Sequence, residues 1–541
     1  MAAPCIHVVF LLCLVPATVA SPHRNLRKSP VDIAAAVSGR CVAADHLLRG
    51  GPPAPPATGQ LRPVLHAPAI QLLRLHLHQA ARHRRLLPAA LPRRGGRPRL
   101  SDLPCRPRVA CHLPGTPVRH DLRCLARRRQ LLRGSTAEPL QNGVVWSVSK
   151  DITRYASLLA AGNSTLAVFV ENLVNNQYTG VYYANVTLHL YFRRTPTRPP
   201  PAVAPADLIV PMSRGLPLND GLWYKIENAT DVTAKSVVLP SNTYCAVLQL
   251  YVSFHGDDEW TNQPGADASS PFREVTVRVD GVLAGAAWPF PVIFTGGMDP
   301  LLWRPITGIG SFNLRTYDVE ATPLLCKMLD GKAHVFAFAV TNAVDVWYVD
   351  ANLHLWLDPG STATAAGLVS YVAPELAPAT ASSRTTASRQ VSATGWVKSS
   401  YGNITRNATQ TFDFDNTNAG EKVNQTTVAH AGVAATDVAG VLYYSMQMRQ
   451  SFPLFLDSGP DQVTVTHGLE ETVAAGRWSS GPRYQSLRNT QRSSVAGASW
   501  GIRQTYRYEA TDWCYLRNVT SSGYSIVADQ SSEACVKGPL R

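Results

Sequence analysis

Seven amino-acid types are absent from residues 41–135 of this 541-residue chain: Phe, Tyr, Trp, Lys, Glu, Asn and Met. A segment without aromatic residues, and with few β-branched ones, lacks the side chains that pack the face of a sheet. It also lacks the lysines and stacking aromatics with which many proteins hold single-stranded nucleic acid. What remains is mainly Arg, Leu, Pro, Ala and His, so we expect no packed sheet in this window.

The net charge of the chain is +14, which by itself suggests an acidic partner such as nucleic acid or a membrane surface. The position of the charge argues against this. The window of residues 41–135 holds 18 Arg and three acids, a net +15, so the rest of the chain carries −1. The basicity therefore belongs to one window, and we expect no nucleic-acid partner.

Three interpretations of this window remain open. The first is a disordered basic linker, and the second is a nucleic-acid arm. The third, which we favour, is translation of GC-rich DNA in the wrong reading frame. A one-nucleotide shift lets the codons of CLARRR, residues 124–129, read V-W-L-G-G, and lets residues 108–121 read E-W-R-A-T-C-Q-G-R-R-Y-D. Both runs have the aromatic content that the window lacks. We therefore predict that residues 41–131 are frame-shifted and disordered.

Long apolar segments are also scarce. An apolar run over residues 6–15 is followed by small residues around Ala20, a pattern typical of a secretory signal peptide. A membrane anchor needs about 20 apolar residues, and this run is shorter. We predict that residues 1–20 are a signal peptide, that the chain enters the secretory pathway, and that the mature protein has no membrane contact.

Glycosylation sequons and cysteines agree with that compartment. Seven N-x-[ST] sequons favour glycosylation, at Asn163, Asn185, Asn228, Asn403, Asn407, Asn424 and Asn518. Cys514 and Cys535 are close enough in sequence to form a disulfide, which the secretory pathway permits. No Cys or His spacing matches a metal site, so we expect no structural zinc and no cofactor.

Beyond residue 136 the apolar residues alternate as in β-strands. The segments NVTLHLYF and YVDANLHLWLD each place apolar residues at every second position, between turns rich in Gly, Pro, Asn and Asp. Such segments predict an all-β fold made of antiparallel sandwiches. YASLLAAG, residues 155–162, is a short exception with helical character.

Two longer blocks resemble each other in order and spacing. DITRYASLLAAGNSTLAVFVEN followed by VYYANVTLHLYF corresponds to DVEATPLLCKMLDGKAHVFAFAVTN followed by VWYVDANLHLWL. We interpret them as two sandwiches of one ancestry, although β segments also converge on similar alternation. The predicted domains are the N-terminal segment 21–135, the remainder of a first sandwich at 136–192, a Pro-rich linker at 193–207, a second sandwich at 208–358, and a β-rich region at 359–541.

The longer motifs resemble one family. STAEPLQNGVVWSVSKDITRY, LPLNDGLWYKIEN, VSFHGDDEW, PFREVTVRVDG, VIFTGGMDPLLWRPITGIGSF, WYVDANLHLWLD and ATGWVKSSYGN together resemble the plant peptide-N4-(N-acetyl-β-glucosaminyl)asparagine amidase A family, from about residue 131 to the C-terminus. The resemblance implies tandem jelly-roll sandwiches and release of N-linked glycans from glycopeptides or glycoproteins. The predicted signal peptide leaves open whether the protein is secreted to the apoplast or delivered to the vacuole.

Hydrolysis of a sugar–asparagine amide needs a carboxylate that activates water and donors that hold the developing oxyanion. HGDDEW places three acids beside an aromatic at the end of an apolar strand, and mutual repulsion raises the pKa of one acid if the site is buried. We predict Glu259 and Asp258 as catalytic residues and Trp260 as a sugar contact. The alternative is a solvated acidic loop.

A second group of candidates lies on the loop GGMDPLLWRPITG and on the strand FREV. Arg304 is a predicted catalytic donor because a guanidinium can give two hydrogen bonds to an amide oxygen. We predict that Trp303 stacks on a sugar and that Asp299 and Arg273 contact substrate. The alternative is a buried Trp with a structural Arg–Asp pair.

The family resemblance also places a catalytic aspartate in a Y-D segment close to V-W-L-G-G, where this chain reads RHDLRC. We interpret Asp121 as an acid by coincidence, without a strand to hold it, and predict that the literal chain is inactive. A secreted carbohydrate-binding sandwich without catalysis remains an alternative. So does a non-catalytic wall or storage glycoprotein.

Overall fold

The structure is a computed structural model. It describes residues 5–16, 31–33, 75–76, 121–138, 144–160, 164–170, 180–191, 205–216, 222–259, 261, 271–477, 483–511 and 513–533. Its elements are almost all antiparallel strands, which confirms the all-β class. Its helical elements are short: 3-10 helices at Thr153–Tyr155, Gly256–Glu259, Pro300–Trp303 and Thr322–Lys327, and the α-helix α1 at Ala156–Ala160. None of the helices in the described residues is long and apolar enough to cross a membrane.

The first sandwich has two four-stranded sheets, ordered β3-β8-β1-β6 and β2-β7-β4-β5. Its strands are β1 Cys5–Pro16, β2 Val31–Ile33, β3 Leu75–His76, β4 Asp121–Ala126, β5 Arg129–Ser135, β6 Val144–Asp151, β7 Ser164–Val170 and β8 Gly180–Tyr191. Alternate residues of β4, β6 and β8 fill its core, as the period-two pattern requires.

The second sandwich has a five-stranded sheet, β10-β17-β12-β15 with β9 paired to β17, and a four-stranded sheet, β11-β16-β13-β14. Its strands are β9 Leu208–Pro211, β10 Tyr224–Ile226, β11 Val232–Val237, β12 Thr243–Phe254, β13 Glu274–Val279, β14 Val282–Ala287, β15 Thr316–Glu320, β16 His334–Thr341 and β17 Trp347–Leu357. The largest core of the described residues lies between these two sheets.

The C-terminal region is one eleven-stranded antiparallel sheet in which neighbours in sequence pair, with β19 beside β20. Its strands are β18 Ala365–Val372, β19 Ala379–Ala381, β20 Arg384–Ser399, β21 Gly402–Ala419, β22 Lys422–Asp437, β23 Leu442–Ser458, β24 Gln462–Arg477, β25 Arg483–Ala496, β26 Ser499–Ala510, β27 Cys514–Ser522 and β28 Ser525–Ser532. The inner face of this sheet packs against the second sandwich through aromatic clusters around Trp288 and Trp303.

The predicted disorder of residues 121–131 is wrong. β4 and β5 form a hairpin in which Leu122 and Cys124 face the core of the first sandwich. The opposite face of β4 is also covered, because the guanidinium of Arg123 lies over the ring of Trp223 in the second sandwich. Leu, Cys and Ala at alternate positions are apolar enough to fill a core even without aromatic residues. The absence of aromatic residues therefore did not exclude strands here.

The apolar run interpreted as a signal peptide also lies in a sheet. β1 is the strand between β8 and β6, and it pairs with both. The structure is that of the uncleaved chain, so the cleavage itself stays a prediction. A central strand needs hydrogen bonds on both of its edges and apolar side chains. An apolar extended segment meets both requirements.

The polar face of β17 is not solvent-exposed. Asn352 and His354 are each 1% exposed, because this face of the second sandwich packs against the first. The hydroxyl of Tyr155 joins the two sandwiches: it accepts from Asn352 Nδ2 at 2.9 Å and lies 2.7 Å from the hydroxyl of Tyr251. Alternation in sequence therefore marks a polar domain interface here, and buried polar groups of this kind are satisfied by one another.

The sequons fall on several surfaces. Asn228, Asn424 and Asn518 are exposed, whereas Asn403 and Asn407 on β21 are half-buried. Asn185 lies on β8, and Asn163 lies outside the described residues. Cys514 is disulfide-bonded; because Cys535 lies outside the described residues, the pairing with Cys535 stays a prediction, as does glycosylation.

Candidate active site

Two carboxylates flank one histidine where the two sandwiches meet. His255 follows the last residue of β12, and Asp121 is the first residue of β4. The Nε2 atom of His255 lies 3.7 Å from Oδ2 of Asp121, and its Nδ1 atom lies 3.7 Å from Oε1 of Glu259. The first sandwich thus contributes one acid, and the second contributes the histidine and the other acid.

The imidazole is held by neighbours of the second sandwich. Its Nε2 atom lies 2.8 Å from the hydroxyl of Ser253, and its ring packs on those of Tyr348 and Phe294, with centroids 4.7 and 6.0 Å away. The side chains of Asp121 and Glu259 are 7% and 12% exposed. Partial burial strengthens the interaction of these charges with each other and with a bound substrate.

A second acid–base pair lies beside the cluster. Glu138 follows β5, three residues after Ser135, and Ser135 is the residue paired with Asp121. Arg304 Nη2 lies 3.6 Å from Glu138 Oε1. Gly296 allows this approach, because a Cβ at that position would lie 2.4 Å from Glu138 Oε2. The pair places a guanidinium against the acid that lies three residues after the strand partner of Asp121.

Buried charged residues lie next to the segment that packs on His255. Arg133 on β5 is fully buried and donates from Nη1 to the carbonyl of Tyr348 at 2.8 Å. Burial raises the pKa of Asp350 to about 7, although the cations Arg133 and Arg123 oppose this shift. Arg133 therefore fixes the segment that carries Tyr348, the aromatic neighbour of His255.

Of the acids predicted from HGDDEW, only Glu259 reaches the cluster among the described contacts. The carboxylate of Asp258 is 2% exposed and accepts hydrogen bonds from Arg273 Nε at 2.6 Å and from the amides of Val344 and Asp345. Burial lowers the pKa of Arg273, and Asp258 opposes that shift. Asp258 and Arg273 form a structural pair, so the prediction that Asp258 performs the proton transfer does not fit this geometry.

The prediction that Trp303 stacks on a sugar is wrong in this structure. Trp303 is 4% exposed, packs under the C-terminal sheet, and donates from Nε1 to the carbonyl of Gly297 at 2.7 Å. Asp299 caps the 3-10 helix by accepting from the amide of Leu301 at 2.8 Å. The burial of Trp303 matches the structural alternative raised by the sequence. Asp299 instead acts as a helix cap, and the ion pair of Arg304 is with Glu138. Trp260 lies outside the described residues, and its sugar contact stays a prediction.

Sequence reasoning missed His255 and Glu138 and dismissed Asp121. His255 had a usable signal, because it is the first residue after a long apolar strand and directly precedes the predicted acids. Glu138 lies in the motif STAEP, which served only for the resemblance. Asp121 could not be placed, since its strand lies in a window whose composition argued against strands.

The arrangement suits proton transfer. An imidazole between two shielded carboxylates can take a proton from one side of a bound group and deliver one to the other. Arg304 adds a donor for an oxyanion. Within the described part of the chain, no group of three or more His, Cys, Asp or Glu has an arrangement that could hold a metal ion.

Among solved structures, the chain weakly resembles PNGase F and PNGF-II. PNGase F, a glycosylasparaginase from Flavobacterium meningosepticum, is 16% identical, with 44% of this chain and 78% of that one covered and a TM-score of 0.30. PNGF-II is 14% identical, with 43% and 45% covered and a TM-score of 0.29. Overlaps at this level carry no argument about this chain.

Sequence comparison is decisive. The family model described as peptide N-acetyl-beta-D-glucosaminyl asparaginase amidase A matches residues 126–374. The peptide-N4-(N-acetyl-beta-glucosaminyl)asparagine amidase A of Prunus dulcis is 41% identical over 459 residues, which cover 76% of this chain and 80% of that protein. The chain therefore belongs to the peptide-N4-(N-acetyl-β-glucosaminyl)asparagine amidase A family.

Proposed function

We propose that this chain hydrolyses the side-chain amide that joins an N-linked glycan to asparagine, a C–N hydrolase acting on a linear amide. Its relative from Prunus dulcis bears the name of that activity. The observation that carries the proposal is the cluster of Asp121, His255 and Glu259, built from both sandwiches at their junction. A glycopeptide is large, and a junction between domains is a common place for such a substrate.

The reaction adds water across one bond. A water oxygen attacks the amide carbon, a C–O bond forms, and the bond between that carbon and the amide nitrogen breaks. The nitrogen stays bonded to the sugar. One water proton passes to a carboxylate, and the departing nitrogen takes a proton as it leaves. The products are an aspartate residue and a glycosylamine.

The roles follow from the positions of the groups. Glu259 takes the proton of the attacking water. His255, which lies between the two acids, protonates the leaving nitrogen, and Asp121 stabilises its charged form. Arg304 donates to the oxyanion, while Glu138 holds the guanidinium in place. The sugar contact predicted for Trp260 is part of the same proposal.

The expectation of an inactive chain depended on a missing strand around Asp121. β4 provides that strand and places Asp121 within reach of His255. We therefore propose the activity for the uncleaved chain, in which β1 completes the first sandwich. The proposed substrates are N-glycopeptides and glycoproteins, and the proposed location is the secretory pathway with delivery to the apoplast or the vacuole.

The test is release of glycan from a defined N-glycopeptide in heavy-oxygen water, followed by mass spectrometry of the peptide. The amidase converts the glycosylated asparagine to aspartate carrying one heavy oxygen. Glu259→Gln is expected to lower kcat by roughly 10²- to 10⁴-fold, the usual contribution of general acid–base catalysis. Asp257→Asn is the matched control, since Asp257 is an exposed acid on the same short helix.

Two outcomes overturn the proposal. Binding of the glycopeptide without any conversion identifies a carbohydrate-binding sandwich instead. An asparagine that keeps one sugar after release identifies a glycosidase that cuts between sugars. Equal rates for Glu259→Gln and Asp257→Asn contradict the role given to Glu259.

A further inference from the structure

The loop between His255 and Glu259 is joined to a second loop by carboxylates on both sides. The 3-10 helix Gly256–Glu259 follows β12 directly, so His255 lies just before it and Glu259 is its last residue. The second loop precedes β17 and includes Asp345. The backbone amide of His255 donates to the carbonyl of Val346 at 2.8 Å, which is the first link between the two loops.

Asp258 ties the first loop to the second. Its Oδ2 atom accepts from the amide of Val344 at 3.1 Å and from that of Asp345 at 2.9 Å. Its Oδ1 atom accepts from Arg273 Nε at 2.6 Å, so both oxygens of this buried carboxylate are bound. Hydrogen bonds to a carboxylate are roughly twice as strong as those between neutral groups.

Asp345 ties the second loop back to the first. Its Oδ2 atom accepts from the amide of Asp257 at 3.0 Å. Gly256 has a φ of +60°, and a Cβ at this position would lie 1.8 Å from the same Oδ2 atom. Only glycine therefore permits both the backbone conformation and the contact.

We infer that Asp258 and Asp345 are positioning residues that hold His255 and Glu259 in the geometry needed for proton transfer. Each carboxylate binds the backbone of the other loop, so neither loop can shift alone. Neither acid contacts the reacting groups: Asp258 acts through the short helix that carries Glu259. The inference rests on the proposed function, because it explains how the same site is held.

The main test is Asp258→Asn in the full chain, with kcat and KM measured on an N-glycopeptide. Both carboxylate oxygens of Asp258 face donors, so in either orientation the amide nitrogen of the variant would face a donor, and the helix would shift. A misplacement of about 1 Å can cost roughly 10²-fold in rate, so we expect kcat to fall by about 10- to 100-fold with KM little changed. The pH–rate profile should keep its shape, since Asp258 is not the group that titrates in catalysis.

The matched control is Asp358→Asn. Asp358 also binds backbone amides, those of Gly360 at 2.9 Å and Ser400 at 2.6 Å, in a loop beside the C-terminal sheet. Both variants are expected to lower the thermal midpoint, but only Asp258→Asn should lower kcat. Gly256→Ala perturbs the same helix without changing any titratable group, and it should reproduce the loss of kcat.

Three results overturn the inference. The first is an unchanged kcat in Asp258→Asn, and the second is an equal loss of kcat in Asp358→Asn. The third is an altered pH–rate profile in Asp258→Asn, which would make Asp258 the proton-transfer group. If the unmodified chain releases no glycan, the proposed function itself is wrong. If the unmodified chain is active and one of the three results above is found, only this inference is wrong.

Discussion

The two sandwiches share one strand arrangement but differ in how the chain fills it. The first has the sheets β3-β8-β1-β6 and β2-β7-β4-β5, and the second has β10-β17-β12-β15 and β11-β16-β13-β14. Position by position, β4 to β8 correspond to β13 to β17 in the same chain order. β1, β2 and β3 instead take the places of β12, β11 and β10, which is the reverse of their chain order.

The difference is greatest for the strand that lies between β6 and β8, which is β1. The corresponding strand of the second sandwich, β12, directly precedes β13 in the chain. β1, by contrast, is the N-terminal apolar segment and lies far from β4 in sequence. A central strand needs an apolar extended segment with both edges free to pair. The first sandwich therefore reaches the same arrangement with a central strand taken from a different part of the chain.

The two sandwiches also differ in the residues that form one corresponding hairpin turn. β13 and β14 are joined by Asp280 and Gly281, with φ of 48° and 83°, and β4 and β5 are joined by Arg127 and Arg128, with φ of 44° and 70°. Two-residue turns with positive φ at both positions favour Asp-Gly or Gly-Gly. The shifted reading V-W-L-G-G places glycines at the two arginine positions, so the backbone supports the proposal of a changed reading frame.

The largest predicted effect comes from removing residues 1–20. In the chain as it stands, this removes β1 and separates β6 from β8, so the first sandwich should lose its cooperative unfolding transition. A chain recoded in the shifted frame over residues 41–131 should tolerate the same deletion, because its own segment fills the place. Calorimetry and limited proteolysis of both chains, each with and without the deletion, measure this difference. Equal sensitivity of the two chains would remove the reading-frame proposal.

A smaller effect is expected from the turn. Arg127→Asn with Arg128→Gly should raise the free energy of unfolding by about 1–2 kcal/mol, since left-handed backbone costs a residue with a Cβ roughly 1–2 kcal/mol. Denaturant unfolding provides the measurement. Gly281→Ala is the converse in the second sandwich; nothing lies within 4 Å of the added Cβ, so its cost of about 1 kcal/mol is that of the backbone. A loss of stability in the first variant would show that the arginines fit their turn.

The smallest effect concerns pH at the turn of the second sandwich. His334 lies 2.6 Å from Asp280 and 2.7 Å from Asp330. Burial lowers the pKa of His334, but hydrogen bonds to both acids outweigh this and the pKa is raised. The pKa of Asp280 is lowered, since its hydrogen bonds from Val335 and His334 outweigh the opposing effect of burial.

The sign of the pH dependence follows from these shifts. The His334 contribution is complete below about pH 6.5 and is lost as pH rises through its raised pKa. The contribution of Asp280 is complete above about pH 4 and is lost as pH falls through its lowered pKa. Hydrogen-exchange protection of the Val335 amide, which donates to Asp280 at 2.8 Å, should be greatest between these limits. His334→Gln should abolish the loss at high pH, and an unchanged profile in that variant would contradict the assignment.

Much of the fold could be predicted from local pattern. Alternation in NVTLHLYF and YVDANLHLWLD predicted β8 and β17, and the helical character of YASLLAAG corresponds to α1. The polar residues Asn352 and His354 share one face of β17, as the alternation predicts, and that face packs against the first sandwich. Alternation reports which residues share a face, and it does not report what covers that face.

The site was only partly predictable. Glu259 was predicted because it is the acid next to an aromatic residue, but the same motif also led to the prediction of Asp258, which lies one residue away and binds Arg273. Trp303 was assigned to a sugar because aromatic residues on Gly- and Pro-rich loops often contact ligands. Its burial depends on the C-terminal sheet, a region more than 100 residues further along the chain.

The sequence by itself determined the strand content, the family and the position of the unusual basic window, since each depends on residues that are near one another in the chain. Tertiary structure alone decided which acids meet at His255, because Asp121 comes from the first sandwich and Glu259 from the second. It also decided that Arg127 and Arg128 adopt a backbone suited to glycine. Both outcomes depend on how distant strands pack, and that packing is set by the sum of many contacts and not by a motif.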